Sequence, residues 1–306
     1  MASKKIIVVF GATGGQGGSV VKSLLDDPQA ASQFAIRAVT RDSSKAAAKA
    51  LEAKGCELVT ADLNDRESLK NALKGAYGVF AVTNYWEKLD GELEYKQGCN
   101  VADEVGVKHL IWMSNGKLKQ VYHFDSKAKV QDYIKSSGLP ATYFLAGMFM
   151  SNLPQLIRKN PGQDVYSIAM PVPPATTMPL LDTEEDTGKF VKAILLKPKQ
   201  TLGKEIYGAT DYYSVNDMIN TFKEVKPVDA KGATATEIPH QTYKDILASK
   251  GMPAFVQEEL LENFLLNAEP GYYGGQSLKE SHAILDEPLT TLKEYLAKNK
   301  TFADLK

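Results

Sequence analysis

Long apolar runs are missing from this chain. No stretch of the 306 residues approaches the ~18 that a bilayer crossing needs, so a membrane-spanning role is not expected. Cysteine is scarce: Cys56 and Cys99 stand far apart with no CxxC neighbour, which excludes a disulfide framework and a cysteine zinc site. Two buried thiols are the expectation, with a redox-sensing cysteine as the alternative. Net charge is nearly absent, 36 Lys and Arg against 37 Asp and Glu, so nothing draws the chain toward polyphosphate and direct nucleic-acid binding is not expected. The four histidines sit without a ligand pattern, and no metal site is expected. Met1-Ala-Ser-Lys-Lys5 runs into a strand at once, so no signal peptide and a location on the cytosolic side are expected.

What is present is ordinary globular composition, 43% hydrophobic and 24% charged, arranged as alternating strands and helices. Strands are expected near 4–10, 34–40, 56–61, 77–83, 107–113 and 141–146, with helices near 15–26, 44–54, 66–74, 91–106 and 126–137. This is the pattern of an α/β, Rossmann-type doubly wound parallel sheet of six strands. From about Gly147 the alternation stops. Residues 148–179 read as covering loops, 185–196, 243–249, 254–267 and 289–298 as helices, and 204–213 and 236–239 as strands. The division expected is 1–150 as the dinucleotide-binding domain and 151–306 as a smaller mixed α/β C-terminal lobe, with some segments returning to the first.

Five glycines fall within eight residues after the first strand, in Gly11-Ala-Thr-Gly14-Gly15-Gln-Gly17-Gly18. The spacing Gly11-x-x-Gly14-x-x-Gly17, strand before and helix after, is what a pyrophosphate needs: a tight turn, close backbone approach, and free N–H groups at a helix N-terminus. Gly11, Thr13, Gly14, Gly15, Gln16 and Gly17 are therefore candidate cofactor contacts. After the second strand Arg41 stands where NAD sites keep an acid, and Lys45 follows on the same side, which favours NADP(H); Asp42 beside them keeps some NAD binding open. Asp62 and Leu63 are candidates for the adenine, Asp62 alternatively being a helix N-cap. Thr83 and Asn84, after the fourth strand, are candidates for the ribose or pyrophosphate.

The glycine loop, Thr40-Arg-Asp-Ser-Ser-Lys45, and His123-Phe-Asp-Ser-Lys127 with Val130-Gln-Asp-Tyr-Ile134 together resemble the NmrA-like family of atypical short-chain dehydrogenases. The likeness extends through Phe144–Asn152, Tyr272-Tyr-Gly-Gly275 and Glu287–Thr291. It implies an NADP(H)-binding protein akin to fungal nitrogen-metabolite regulators and an animal redox sensor, acting through a protein partner such as a transcription factor. It also makes a homodimer plausible and extends the expected location to the nucleus. Phe149 joins the cofactor contacts on this footing.

A working short-chain dehydrogenase uses Tyr-x-x-x-Lys, the lysine holding the nicotinamide ribose and lowering the tyrosine pKa. Here Lys127 is present but His123 takes the tyrosine's place. Tyr122 is one residue off, about 100° around a helix, and helps only where the segment is irregular. Ser114, with Asn115, stands where a substrate-orienting hydroxyl belongs. Ser114, His123 and Lys127 form an incomplete catalytic set, or else Lys127 only binds ribose and the others are structural. Two functions follow. The first is a regulatory protein that senses NADP(H), with 148–179 and 115–122 as moving parts. The alternative is an NADPH-dependent reductase of a small carbonyl, imine or quinone, with Met148, Phe149, Met170 and Tyr272 lining an apolar substrate pocket. Asp182–Asp186 is expected to cap a helix through Thr183 and Asp186, and Lys117, Lys119, Lys127 and Lys129 to form a basic stretch on the cofactor side.

Overall fold

The computed structural model describes residues 3–114, 121–159, 162 and 164–306. β1 (Lys5–Val9) passes through the glycine loop into α1 (Gly15–Asp26) and the short α2 (Pro28–Gln33), followed by β2 (Phe34–Thr40) and α3 (Ala46–Ala53). Then come β3 (Glu57–Thr60), α4 (Arg66–Leu73), β4 (Gly78–Ala81), α5 (Gly91–Glu104), β5 (His109–Ser114), α6 (Tyr122–Ser137) and β6 (Ala141–Ala146). β4, β5 and β6 are buried at every position, as strands covered on both faces must be. α6 begins four residues earlier than expected.

Past β6 the chain is more regular than its composition suggests. The expected loop region carries β7 (Met148–Phe149), α7 (Leu153–Leu156), β8 (Arg158–Lys159), β9 (Tyr166–Met170) and β10 (Thr177–Leu181). α8 (Thr187–Leu196) and α9 (Pro198–Thr201) follow. The single strand expected over 204–213 is two, β11 (Glu205–Gly208) and β12 (Asp211–Ser214), which join different sheets. α10 (Val215–Val225) was not anticipated. β13 (Thr234–Glu237), α11 (His240–Ser249), α12 (Ala254–Ala268), α13 (Lys279–His282) and α14 (Leu292–Lys298) complete the chain. Among the described residues no helix is long and apolar enough to cross a membrane.

The main sheet has seven strands rather than six, in the order β11-β6-β5-β4-β1-β2-β3, all parallel. The extra strand, β11, returns from beyond residue 200. β12, β10 and β7 form one small sheet, and β13, β9 and β8 another. One face of the main sheet packs Val8, Leu110 and Trp112 beneath α4, α5 and α6; the other packs Ile7, Phe80 and Ile111 beneath α1 and α8. α8 lies against α1 so closely that a Cβ on Gly188 would sit 2.1 Å from the Ser19 carbonyl oxygen. A separate cluster around Met150, Met178, Met218 and Phe222 forms the core of the C-terminal lobe. β1 lies between β2 and β4, so the strand order reverses beside it, and the loops after these strands open the crevice where such sheets take ligands.

Candidate functional site

The glycine loop lies at the carboxyl end of β1. Gly11 has φ +63°, a left-handed conformation that an L side chain adopts only under strain, and its carbonyl accepts from Gly14 N–H at 2.9 Å. A Cβ on Gly17 would lie 2.3 Å from the Gly11 carbonyl oxygen and 2.7 Å from that of Phe10, so only glycine lets α1 start this close to β1. The N-cap of α1 is Gly14, without a side-chain cap and without an acid in the first turn. The N-terminal amides of α1 are thus left for an anion. Beside them opens a cleft of about 630 Å³, of the size small-ligand sites have. Its wall includes Gly11, Thr13, Gly14, Gly15, Gln16, Gly17, Arg41, Lys45, Asp62, Leu63, Thr83 and Asn84.

Around Arg41 the cleft holds charges of both signs. Arg41 Nη1 lies 2.7 Å from Glu87 Oε1, an exposed pair across the cleft mouth, and Lys45, Lys88, Asp42 and Asp90 share the wall. Asp62 is not the helix cap: its Oδ1 accepts from Asn64 N–H at 2.8 Å, while Asp65 caps α4 by accepting from Glu67 and Ser68. Thr83 is buried, and its Oγ1 has no hydrogen-bond partner among the described residues, nor has Ser114 Oγ. Buried hydroxyls left so need a polar ligand group or water. An uncapped helix start, a glycine-only cradle, guanidinium and ammonium groups, and an orphaned hydroxyl fit a phosphorylated dinucleotide.

Lys127 stands directly behind the cleft wall, against the lining residue Glu94. Ser114, His123, Lys127 and Phe149 are not among the cleft-lining residues. Lys127 Nζ is 2.5 Å from Glu94 Oε1, both side chains buried, and Ser126 Oγ donates to the other oxygen. Burial pushes the Lys127 ammonium below its ordinary pKa, with the Glu94 charge opposing. His123 Nδ1 is 2.6 Å from Glu259 Oε1, to which its backbone N–H also donates at 2.8 Å, and Tyr85 OH donates to Oε2 at 2.9 Å. Burial lowers the His123 pKa despite Glu259, so near neutral pH the ring is uncharged and its Nδ1 proton is directed at Glu259. Tyr85 does line the cleft, but burial and then Glu259 raise its pKa far above that of a free phenol, which makes it a poor acid. Tyr122 is helical and half exposed, one position from His123, so the irregular geometry that would have brought it into line is absent.

Three other expectations need correcting. Met148 and Met170 pack with the core of the C-terminal lobe, Phe149 with the layer beneath α1 and α8, and Tyr272 with the opposite face of the main sheet, so the four belong to three apolar clusters rather than one. Thr183 and Asp186 do not form a capping box. Asp186 caps α8 without a side-chain bond and instead accepts from Thr290, while Asp182 accepts from Glu184 and Glu185. Cys56 is buried as expected but Cys99 is only partly so, and burial raises both thiols. Asn115, Lys117 and Lys119 lie outside the described residues. So do 115–120 of the proposed moving loop. Lys129 is exposed and pairs with Glu92. The residues overlooked are Glu94, Glu259 and Tyr85. A signal existed for two of them: Glu94 is on the same helical face as buried Gly98 and Val101, and Glu259 is three positions after buried Val256, so each is an acid in an apolar stripe.

A model of the NmrA-like family matches residues 3–296. The NmrA-like family domain-containing oxidoreductase malD of Malbranchea aurantiaca is 32% identical over 250 residues, covering 72% of this chain and 73% of its own. The structure of NmrA, a negative transcriptional regulator, in complex with NADP superposes with a TM-score of 0.76 at 19% identity over 97% of this chain and 95% of its own. Citrobacter sp. triphenylmethane reductase complexed with NADP(H) gives 0.77 at 20% over 96% and 99%. Likeness at those identities concerns the fold.

Proposed function

The chain belongs to the NmrA-like family, and on that footing we propose that it is an NADP(H)-binding oxidoreductase whose acceptors draw no proton from the protein. Gly15–Gly17 amides would hold the pyrophosphate, Arg41 and Lys45 the 2′-phosphate, Asp62 and Leu63 the adenine, and Thr83 and Asn84 the central hydroxyls or phosphate. When bound, the reduced cofactor supplies a hydride. The relatives' naming as oxidoreductases supports this reading. The observation that carries it is the fate of the acids: His123 and Tyr85 both donate to Glu259, and Lys127 is paired with Glu94. A neutral carbonyl needs an acid as it accepts hydride, whereas an imine arriving as its iminium does not, and a quinone can take protons from water. Of the three acceptor classes, imines and quinones therefore suit this site better.

The test is NADPH oxidation with matched aldehyde, imine and quinone acceptors across pH. Turnover of the last two is expected, the imine rate following the imine's own protonation. Comparable aldehyde turnover, lost in His123→Gln with NADPH affinity retained, would show that His123 is the acid and overturn the proposal.

A regulatory role is favoured by a different observation. Tyr85 in the cleft wall and His123 on α6 both end on Glu259 of α12, so cleft and C-terminal lobe share one buried junction through which occupancy can bias the lobe. Hydrogen exchange of α12 should then differ among the apo, NADP and NADPH forms, and identical protection in all three removes this reading.

A further inference from the structure

Glu94 combines two properties: it lines the cleft, and it is only 2% exposed. Behind it stand two groups of α6, the Lys127 ammonium at 2.5 Å from Oε1 and the Ser126 hydroxyl donating to Oε2. Along α5 the neighbours change with position. Gln97 donates to Asn64 Oδ1 at 3.2 Å and Asn100 to the Leu63 carbonyl at 2.9 Å, so that end adjoins the loop after β3. Glu94, nearly one turn earlier, adjoins α6. In a doubly wound sheet the loops after the first three strands take one half of a dinucleotide and those after the next three take the other. Glu94 touches Lys127 and Ser126, which follow β5, and this contact sets it toward the second half; its own place after β4 does not, since Glu87 and Gln97 also follow β4 and reach Arg41 and Asn64 of the first. Thr83 and Ser114, the buried hydroxyls without partners, stand at the ends of the same two strands.

We infer that Glu94 is the residue that accepts from the hydroxyls of the ribose in the second, nicotinamide-bearing half of the cofactor, with Lys127 and Ser126 as positioning residues behind it. The inference rests on NADP(H) occupying the cleft. An ionised carboxylate receives vicinal hydroxyls through charge-assisted bonds. Lys127 is already committed to that carboxylate, and Glu94 itself lines the cleft.

Calorimetry on the full chain compares NADP with adenosine 2′,5′-bisphosphate, which lacks the second ribose. Glu94→Gln is expected to weaken NADP about 10-fold and to leave the fragment's affinity as it was. Lys127→Met, which removes the supporting charge and keeps the carboxyl, is expected to cost NADP less, and it provides the comparison even where Glu94→Gln folds poorly. An equal loss for NADP and the fragment, no loss for either, or a larger loss in Lys127→Met than in Glu94→Gln overturns the inference. Failure of the unaltered protein to bind either ligand would instead remove the proposed function beneath it.

Discussion

Glu259 is the most exposing single position to perturb, because one carboxylate holds donors from two separate segments of the nucleotide-binding half. Glu259→Ala removes the acceptor of three hydrogen bonds at once, from His123 N–H at 2.8 Å, His123 Nδ1 at 2.6 Å and Tyr85 OH at 2.9 Å. The carboxylate is 2% exposed, so water cannot simply take its place. Leaving these buried neutral donors without their acceptor costs about 1–3 kcal/mol each, about 3–5 kcal/mol in all. In a chain of this size that lowers the melting temperature by on the order of 10 °C. Glu259→Gln keeps the shape and one acceptor and should cost about 1–2 kcal/mol. Urea unfolding followed by tryptophan fluorescence reads both, since the Trp86 ring lies tilted against the His123 ring, centroids 4.8 Å apart, and reports on the junction itself. The pH dependence is an independent check. Burial works against the Glu259 charge, but the bonds from His123 and Tyr85 prevail and hold its folded pKa below the ordinary 4.5. Its charge-dependent contribution is therefore complete above pH 4.5 and is lost as the pH falls through the lower folded value, so the gap between the natural protein and the alanine variant should begin to narrow only there. An alanine variant within about 1 kcal/mol of the natural protein at neutral pH would refute the reasoning.

Three further outcomes follow from particular contacts. Gly17→Ala puts a methyl 2.3 Å from the Gly11 carbonyl oxygen and 2.5 Å from its carbon, both backbone atoms, so the loop must shift. NADP binding should be abolished in calorimetry at a stability cost of about 1–3 kcal/mol, and an unchanged affinity would contradict the cradle geometry. Glu87→Gln frees Arg41 from an exposed pair and should tighten NADP about 2- to 5-fold while leaving NAD unchanged; equal effects on both would mean that Arg41 does not meet the 2′-phosphate. His109 is buried on β5 and bonded to Thr142, whose hydroxyl donates onward to the Thr201 carbonyl, so His109 Nε2 carries the proton of that bond. Burial lowers its pKa from 6.5 to about 4, so the unfolded chain takes up the proton first and roughly 3 kcal/mol of stability should be lost between those pH values. His109→Gln should flatten that acid limb in denaturation curves, and an identical pH profile would count against it.

The parts of this molecule legible in the sequence are those whose physics is local. The six β/α units could be read because each strand is an apolar run and each helix follows within a few residues, and the glycine loop because three steric demands fall within seven positions. α10 was equally legible and was missed: Ser214 and Asp217 form a capping box, and Val215, Met218, Ile219 and Phe222 make its buried stripe. A single strand over 204–213 leaves no place for it, but the chain leaves the main sheet at Gly208, where a Cβ would lie only 2.3 Å from the Phe144 ring. That contact is with a residue 64 positions earlier, and nothing near Gly208 in sequence announces it. The same limit governs the site. His123 and Lys127 could be found as a motif, yet what they can do depends on Glu259, 136 residues on, and Glu94, 33 residues back. A carboxylate in an apolar stripe signals that a buried partner exists without naming it, and two such acids and two buried bases allow more than one pairing. The fold selects Glu94 with Lys127 and Glu259 with His123 by setting α5 against α6 and α12 across the junction. The chemistry that distinguishes this site from a tyrosine-dependent dehydrogenase therefore resides in tertiary pairing as much as in the substitution at position 123.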